Sequence, residues 1–351
     1  MKRILQSFLL ALIIGALAIA AVAQSTTANV RGKVTDSGGT ALAGATVTAV
    51  STASGFVKTG TAGPDGAFQL GGLNPGEYNI TVAAQGFEAR SEKVTVLLGQ
   101  NLNVTFELTP TSVVNESITV IGEQVVDTRT PEAATNVTTQ QIENLPQDDR
   151  NFLNFAALAP GIRTSTDPLR KTIAGDAQPA EQTNVFIDGV SLKNDVLQGG
   201  LVGQDSSRGN PFPQNAVQEF RVITQNYSAQ YSKASSAIIT AITKSGGNEY
   251  QGQVFDFYQP KAWVSQLPKG FQYSTLTTNK SYERNQPGFS LGGPIVKDKL
   301  HFFVSYEGDN EKATTPVSVN PNFSSQFGQY NGVFPSPFKS NLAFEIGRAH
   351  V

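Results

Sequence analysis

The chain has 351 residues, a formal net charge of −2 and no cysteine. This length accommodates two or three domains, and the absence of cysteine excludes disulfide scaffolds, Cys-ligated zinc and thiol nucleophiles. The near-neutral charge supplies no basic field, so no nucleic-acid partner is expected. With 33 Gly, 21 Phe and only 15% charged residues, the composition suits many short strands joined by glycine-rich turns.

Lys2 and Arg3 precede an apolar run from Phe8 to Ala20, and Ala21-Val22-Ala23 has the small-x-small form of an export cleavage site. Residues 1–23 therefore read as a signal peptide, with Ala21 and Ala23 as the cleavage determinants. The run is short for a spanning helix, and nothing after Ala23 approaches the roughly 18 apolar residues such a helix needs. A membrane β-barrel remains open, because each of its strands gives a weak signal.

Residues 28–108 read as one β domain of about seven strands with turn signals roughly every 10 residues, the pattern of a sandwich. Val30, Gly32 and Val34 alternate with Arg31, Lys33 and Thr35. Further strands are expected at Thr46–Val50, around Phe56-Val57, at Tyr78–Val82, at Val94–Leu98 and at Leu102–Leu108. Pro64-Asp65-Gly66 and Asn74-Pro75-Gly76 are turns, in which Pro presets φ and Gly accepts a positive one. Residues 109–135 are polar and linker-like, with one short extended patch, Glu116-Ser117-Ile118-Thr119-Val120. That patch reads either as a segment that adds a strand to a partner's sheet edge or as the first strand of the next domain.

Residues 136–247 read as mixed α/β. A helix is expected over Thr138–Leu145, with Thr138 and Gln141 at capping-box spacing; beyond a helix-to-helix turn at Asp148-Asp149, Phe152, Phe155, Ala156 and Ala159 continue the apolar face until Pro160-Gly161 stops it. Val185–Val190 reads as a strand entering a turn, and Val217–Thr224 and Ala237–Thr243 as two more strands. From Tyr250 the segments look like barrel strands. Leu300, Phe302, Val304 and Tyr306 form an apolar face opposite His301, Phe303, Ser305 and Glu307, as a lipid-facing strand requires. Phe289 and Leu291 alternate with Ser290 and Gly292, Gly293–Lys299 reads as a short charged turn, and residues 260–283 as a long outer loop. The Tyr250–Tyr258 strand alternates poorly, because Phe255 and Phe257 oppose Tyr250, Val254 and Tyr258. Ile346–Val351 can be encoded by a common sequencing-adapter string, so residues 346–351 are expected to be an artefact.

Catalytic chemistry is hard to build from this inventory. The only histidines are His301 and His350, too few for a zinc peptidase. Asp148-Asp149 suits a solvated turn, and Lys244-Ser245-Gly246-Gly247 lacks P-loop spacing. No catalytic residue, metal site or cofactor is expected.

Four ordered motifs, Gly32–Asp36, Leu42–Val47, Thr61–Phe68 and Leu73–Tyr78, resemble the carboxypeptidase regulatory-like domain, a transthyretin-like sandwich that is accessory and non-catalytic. Asn184–Val190, Val217–Val222, Tyr227–Ser232 and Thr243–Gly252 resemble the plug of TonB-dependent outer-membrane receptors, in the Oar-like branch that carries such a sandwich. The resemblance implies a mainly β chain: a sandwich, an α/β plug and the first antiparallel strands of a transmembrane barrel. Its expected domains are a signal peptide at 1–23, the sandwich at 24–110, a linker with the TonB box at 111–135, the plug at 136–248 and the truncated barrel at 249–345. Glu116, Ser117, Ile118, Thr119 and Val120 are then the TonB-binding residues. Implied partners are TonB with its inner-membrane energising complex, outer-membrane lipid and a transported substrate of unknown class. A barrel of the 22-strand class, at roughly 10 residues per strand, does not fit in the roughly 95 residues after Gly252, so this fragment alone cannot transport. The alternative is a surface adhesion or carbohydrate-binding protein.

Overall fold

A computed structural model describes residues 26–111, 132–147, 150–165, 172–176, 178–193, 212–263, 283–312 and, between 314 and 349, all but 318–321, 323, 331 and 336. Three sheet systems follow one another along the chain.

The first comprises strands β1 (Ala28–Asp36), β2 (Thr46–Ser51), β3 (Val57–Thr61), β4 (Ala67–Leu73), β5 (Gly76–Ala83), β6 (Arg90–Val96) and β7 (Asn101–Leu108). They form two sheets, β3-β2-β5-β6 and β4-β1-β7. Alternating residues of both sheets, among them Val30, Val34, Val47, Phe68, Ile80, Val82 and Phe106, close one core. The Pro64-Asp65-Gly66 turn forms as its residues dictate: Gly66 takes φ +73°, and the Asp65 carboxylate accepts the Ala67 N–H at 3.1 Å. β1 runs parallel to β7, from Asn29 opposite Asn101 to Asp36 opposite Leu108.

The second system is a five-stranded sheet, ordered β12-β11-β14-β13-β8, from β8 (Ala133–Val137), β11 (Asn184–Ile187), β12 (Val190–Ser191), β13 (Val217–Gln225) and β14 (Ile238–Thr243). β9 (Ile162–Thr164) and β10 (Ile173–Gly175) form a separate small hairpin. β8 begins inside the stretch read from the sequence as linker. The expected capping box is present on helix α1 (Thr139–Asn144). The helix ends at Asn144. Leu145 turns to ψ 135°, because the residue before Pro146 is pushed out of the α region. A separate 3-10 turn, Phe152–Leu158, then starts on Asn151, whose side chain accepts the Leu153 N–H at 3.1 Å. Both pieces still present one apolar face: Ile142, Phe152 and Phe155 share a core with Val137, Phe220 and Val222. Asp188 (φ 49°) and Gly189 (φ 82°) make the tight β11–β12 hairpin, a type I′ pattern.

The third system is an antiparallel sheet, β15-β16-β17-β20, from β15 (Gln251–Gln259), β16 (Glu283–Val296), β17 (Leu300–Lys312) and β20 (Phe338–Ala349). A short pair, β18 (Thr314–Val317) with β19 (Gly332–Pro335), lies between the last two in sequence. β16 runs on through Gly293 and Pro294, which pair with Phe302 and His301, so the turn is shorter than the sequence suggested and centres on Asp298 at φ 62°. Gly293 stays in the strand under the Tyr250 ring; a Cβ there would lie 2.3 Å from Tyr250 Cδ1. β20 includes residues 346–349, part of the segment read as adapter-derived. Most of the expected outer loop at 260–283 lies outside the described residues.

Candidate functional site

Glu116–Val120 lie outside the described residues, as do Ala21, Ala23, Asp148 and Asp149. The structure shows what holds the middle sheet in place.

The middle sheet meets the inner face of the third sheet. His301, Phe303, Ser305 and Glu307 point toward it and are at most 5% exposed. Across the sheet, Phe289, Leu291 and Ile295 lie on the opposite face and are 42–60% exposed. Arg150, just before the 3-10 turn, donates from Nε to Glu307 Oε1 at 2.9 Å. Its guanidinium also lies 4.2 Å from the Phe255 ring centroid and 5.0 Å from that of Phe257. These two aromatics are the residues that spoiled the alternation of β15. They stand on the Arg150 side of the sheet, Phe257 still half exposed, where the cation stacks on them. Gln253, on the same face of β15, donates to Asn215. His301 Nε2 lies 2.9 Å from Asn248 Oδ1, a structural place at the sheet's lower rim.

A second polar cluster sits where the sandwich meets β13. Glu219 and Arg221 alternate with Phe220 and Val222, whose side chains enter the apolar core. Glu219 and Arg221 stand on the other face of the strand. The structure covers it with the β6–β7 turn of the sandwich. Glu219 Oε1 accepts the Leu98 N–H at 3.1 Å and the Asn136 amide at 2.8 Å. Asn136 also donates to Leu98 O at 3.0 Å. Arg221 donates to Leu98 O and Gly99 O and pairs with Glu132 at 3.1 Å. Glu132 is the first described residue after Thr111. No local sequence pattern joins residues this far apart, so this contact was not legible.

Burial pushes the Glu219 carboxyl above its ordinary value, against the lowering effects of Asn136, the Leu98 N–H and Arg221. A folded value above the unfolded one means the folded protein binds the proton more readily. The resulting stability is complete below the unfolded value, roughly 4.3, and is lost as pH rises through the folded value. Glu219→Gln removes this titration. Thermal melts from about pH 8 to about pH 4 are expected to show the parent gaining stability relative to Glu219→Gln as pH falls. Parallel profiles for the two proteins would show that Glu219 does not titrate in the contact.

Among the described residues, no three His, Cys, Asp or Glu side chains converge as a metal site.

Comparison with known proteins places these features. A family model described as the carboxypeptidase regulatory-like domain matches residues 29–109, and one described as an outer membrane beta barrel domain matches residues 242–343. The chain is 27% identical over 254 residues to the TonB-dependent transporter Oar of Myxococcus xanthus, covering 69% of this chain and 23% of that protein. It is 24% identical over 220 residues to the probable TonB-dependent siderophore receptor PirA of Acinetobacter baumannii, covering 60% of this chain and 27% of that one. Among solved structures, the outer membrane transporter YddB of Escherichia coli aligns with a TM-score of 0.43 at 14% identity, over 61% of this chain and 30% of that one. The chain thus spans about a quarter of the length of the curated relatives it matches.

Proposed function

We propose that this relative of the TonB-dependent outer-membrane receptors is the N-terminal part of such a receptor, exported by a signal peptide at 1–23 that is removed after Ala23. In this reading residues 24–110 are a periplasmic sandwich, 111–135 carry the TonB-binding segment, 136–248 are the plug and 249–345 begin the barrel. The full-length protein takes up a substrate across the outer membrane. One observation supports this most: the third sheet has two unlike faces. Its buried face carries Glu307, Ser305 and Gln286 toward the middle sheet, while Phe289 and Leu291 lie exposed on the other. An apolar outside with a polar inside filled by another domain is the design of a plugged outer-membrane barrel.

In the proposed mechanism, TonB, energised from the inner membrane, pairs with Glu116–Val120 as an added strand and pulls. Such a strand gains affinity from backbone bonds and selectivity from alternate side chains. Ile118→Pro removes a backbone donor and fixes φ. The loss of one or two bonds at roughly 1 kcal/mol each, plus side-chain burial, is expected to weaken TonB binding about tenfold or more. Thr119→Ser and Asn115→Pro are expected to change little. The assay is substrate uptake by the full-length receptor, together with binding of a 112–126 peptide to the periplasmic domain of TonB. Normal uptake by a correctly inserted Ile118→Pro receptor would end the energy-coupling role of this segment.

A further inference from the structure

We infer that the sandwich and strand β8 are held on the plug by one shared polar latch, so that undocking the sandwich loosens β8 and drawing β8 away releases the sandwich. The inference concerns this chain's own contacts and is independent of which partner pulls.

The Leu98 peptide group is the centre of the latch. Its N–H is taken by Glu219, and its carbonyl by both Asn136 and Arg221, at 3.1, 3.0 and 3.2 Å. Leu98 itself is 1% exposed although it lies in a turn. Asn136 belongs to β8, and Glu132 immediately precedes that strand, so β8 supplies two of the side chains that hold the cluster together. Arg221 joins both sides: one guanidinium nitrogen binds the sandwich carbonyls of Leu98 and Gly99, and the other binds Glu132. Within its sheet β8 is an edge strand, paired with β13 alone. Among the described residues its further ties are the burial of Val137 in the core beside Ile142 and Phe152, at the strand's far end, and the Thr224 hydroxyl donating to Ala133 O at 3.3 Å.

The close approach depends on Gly99. Its φ is +65°, and a Cβ there would stand 2.9 Å from Arg221 Nη1 and 3.4 Å from Arg221 Cδ. Any side chain both strains the turn and pushes the guanidinium off its carbonyls. Two further turns at the same end of the sandwich add separate contacts: Gln218 donates to Pro75 O at 3.0 Å, and the Asn248 N–H to Ala53 O at 2.8 Å. Neither involves β8. Removing β8 leaves Glu219 and Arg221 buried with fewer partners, a costly state that is relieved when the sandwich departs and water enters.

Hydrogen exchange on the full chain tests the latch with changes made at a distance from the strand that reports. Gly99→Val is compared with Gly86→Val, which also replaces a positive-φ glycine (+85°) but has nothing within 4 Å of the added Cβ. The expected result is exchange of the Ala133–Val137 amides about tenfold faster or more in Gly99→Val, with Ile238–Thr243 unchanged, and parent-like exchange of both in Gly86→Val. In the reverse direction, Glu132→Ala with Asn136→Ala is expected to speed exchange at Leu98. Unchanged β8 protection in Gly99→Val, unchanged Leu98 protection in the double variant, equal effects of Gly99→Val and Gly86→Val, or faster exchange throughout β14 would each overturn the latch.

Discussion

Gly32→Val is expected to unfold the sandwich, or to leave it with a melting point lowered by more than ten degrees. Gly32 lies in the middle strand of the β4-β1-β7 sheet, opposite Phe68 on one side and Val104 on the other. A Cβ at this position would sit 2.0 Å from the Val104 carbonyl oxygen and 2.7 Å from the Phe68 ring. The oxygen is backbone in a paired strand, so it cannot retreat without opening the β1–β7 ladder. Overpacking of this kind typically costs about 1–3 kcal/mol and more where backbone must move. In a domain of 60–100 residues each kcal/mol shifts the melting point by roughly 4–8 °C. Gly60→Ala is the contrast. Its nearest neighbour would be the Leu70 Cδ2 methyl at 2.8 Å, the far end of a side chain that can rotate. Circular dichroism melts of residues 24–110 carrying each change give the comparison. Equal melting points would show that the β1–β7 pairing is looser than described.

The second large effect is expected at Arg150. Its partner Glu307 is 3% exposed, and Arg150→Ala leaves that carboxylate buried without the cation. Breaking a buried pair from one side costs about 3–5 kcal/mol, mostly as the penalty on the charge left behind. Glu307→Gln added to Arg150→Ala is therefore expected to recover much of the loss, because the stranded charge is gone. Arg150→Lys should fall between parent and Arg150→Ala: lysine restores the charge but not the flat group that stacks on Phe255 and Phe257. Denaturant unfolding of the chain in detergent, with a probe on the middle sheet, reads these differences. A double variant no more stable than Arg150→Ala would show that the stacking, not the ion pair, carries the contact.

Features that depend on nearby residues were legible in the sequence. The turns at Pro64–Gly66 and Asp188-Gly189 follow from φ preferences, the capping box at Thr138 and Gln141 from spacing, and the faces of β17 from strict alternation. The misreadings share one cause, contact with distant chain. Ala133–Val137 is polar and short, and becomes a strand only because β13 offers it an edge. Phe255 and Phe257 appeared to be on the wrong face until Arg150 supplied their partner. Nothing local announces that the Leu98 turn will cover Glu219 and Arg221. The end of the first helix at Leu145, by contrast, is set locally and was legible. Pro146 stood in the sequence, and its effect on the preceding residue was enough to end the helix there.

The parallel run of β1 beside β7 decides where a reporter can be attached. Because Asn29 lies beside Asn101, residues before Ala28 enter the sandwich next to the Leu98–Gly99 turn, at the end docked on the plug. A fluorescent protein fused directly ahead of β1 would crowd that end. The other end, roughly 26 Å away along eight residues of strand, carries the β1–β2 turn, where Gly38 and Gly39 are exposed and the Asp36 carboxylate alone accepts the Gly38 and Thr40 N–H groups. An epitope or dye placed at that turn would face away from the plug, reporting on the sandwich while leaving its seat untouched.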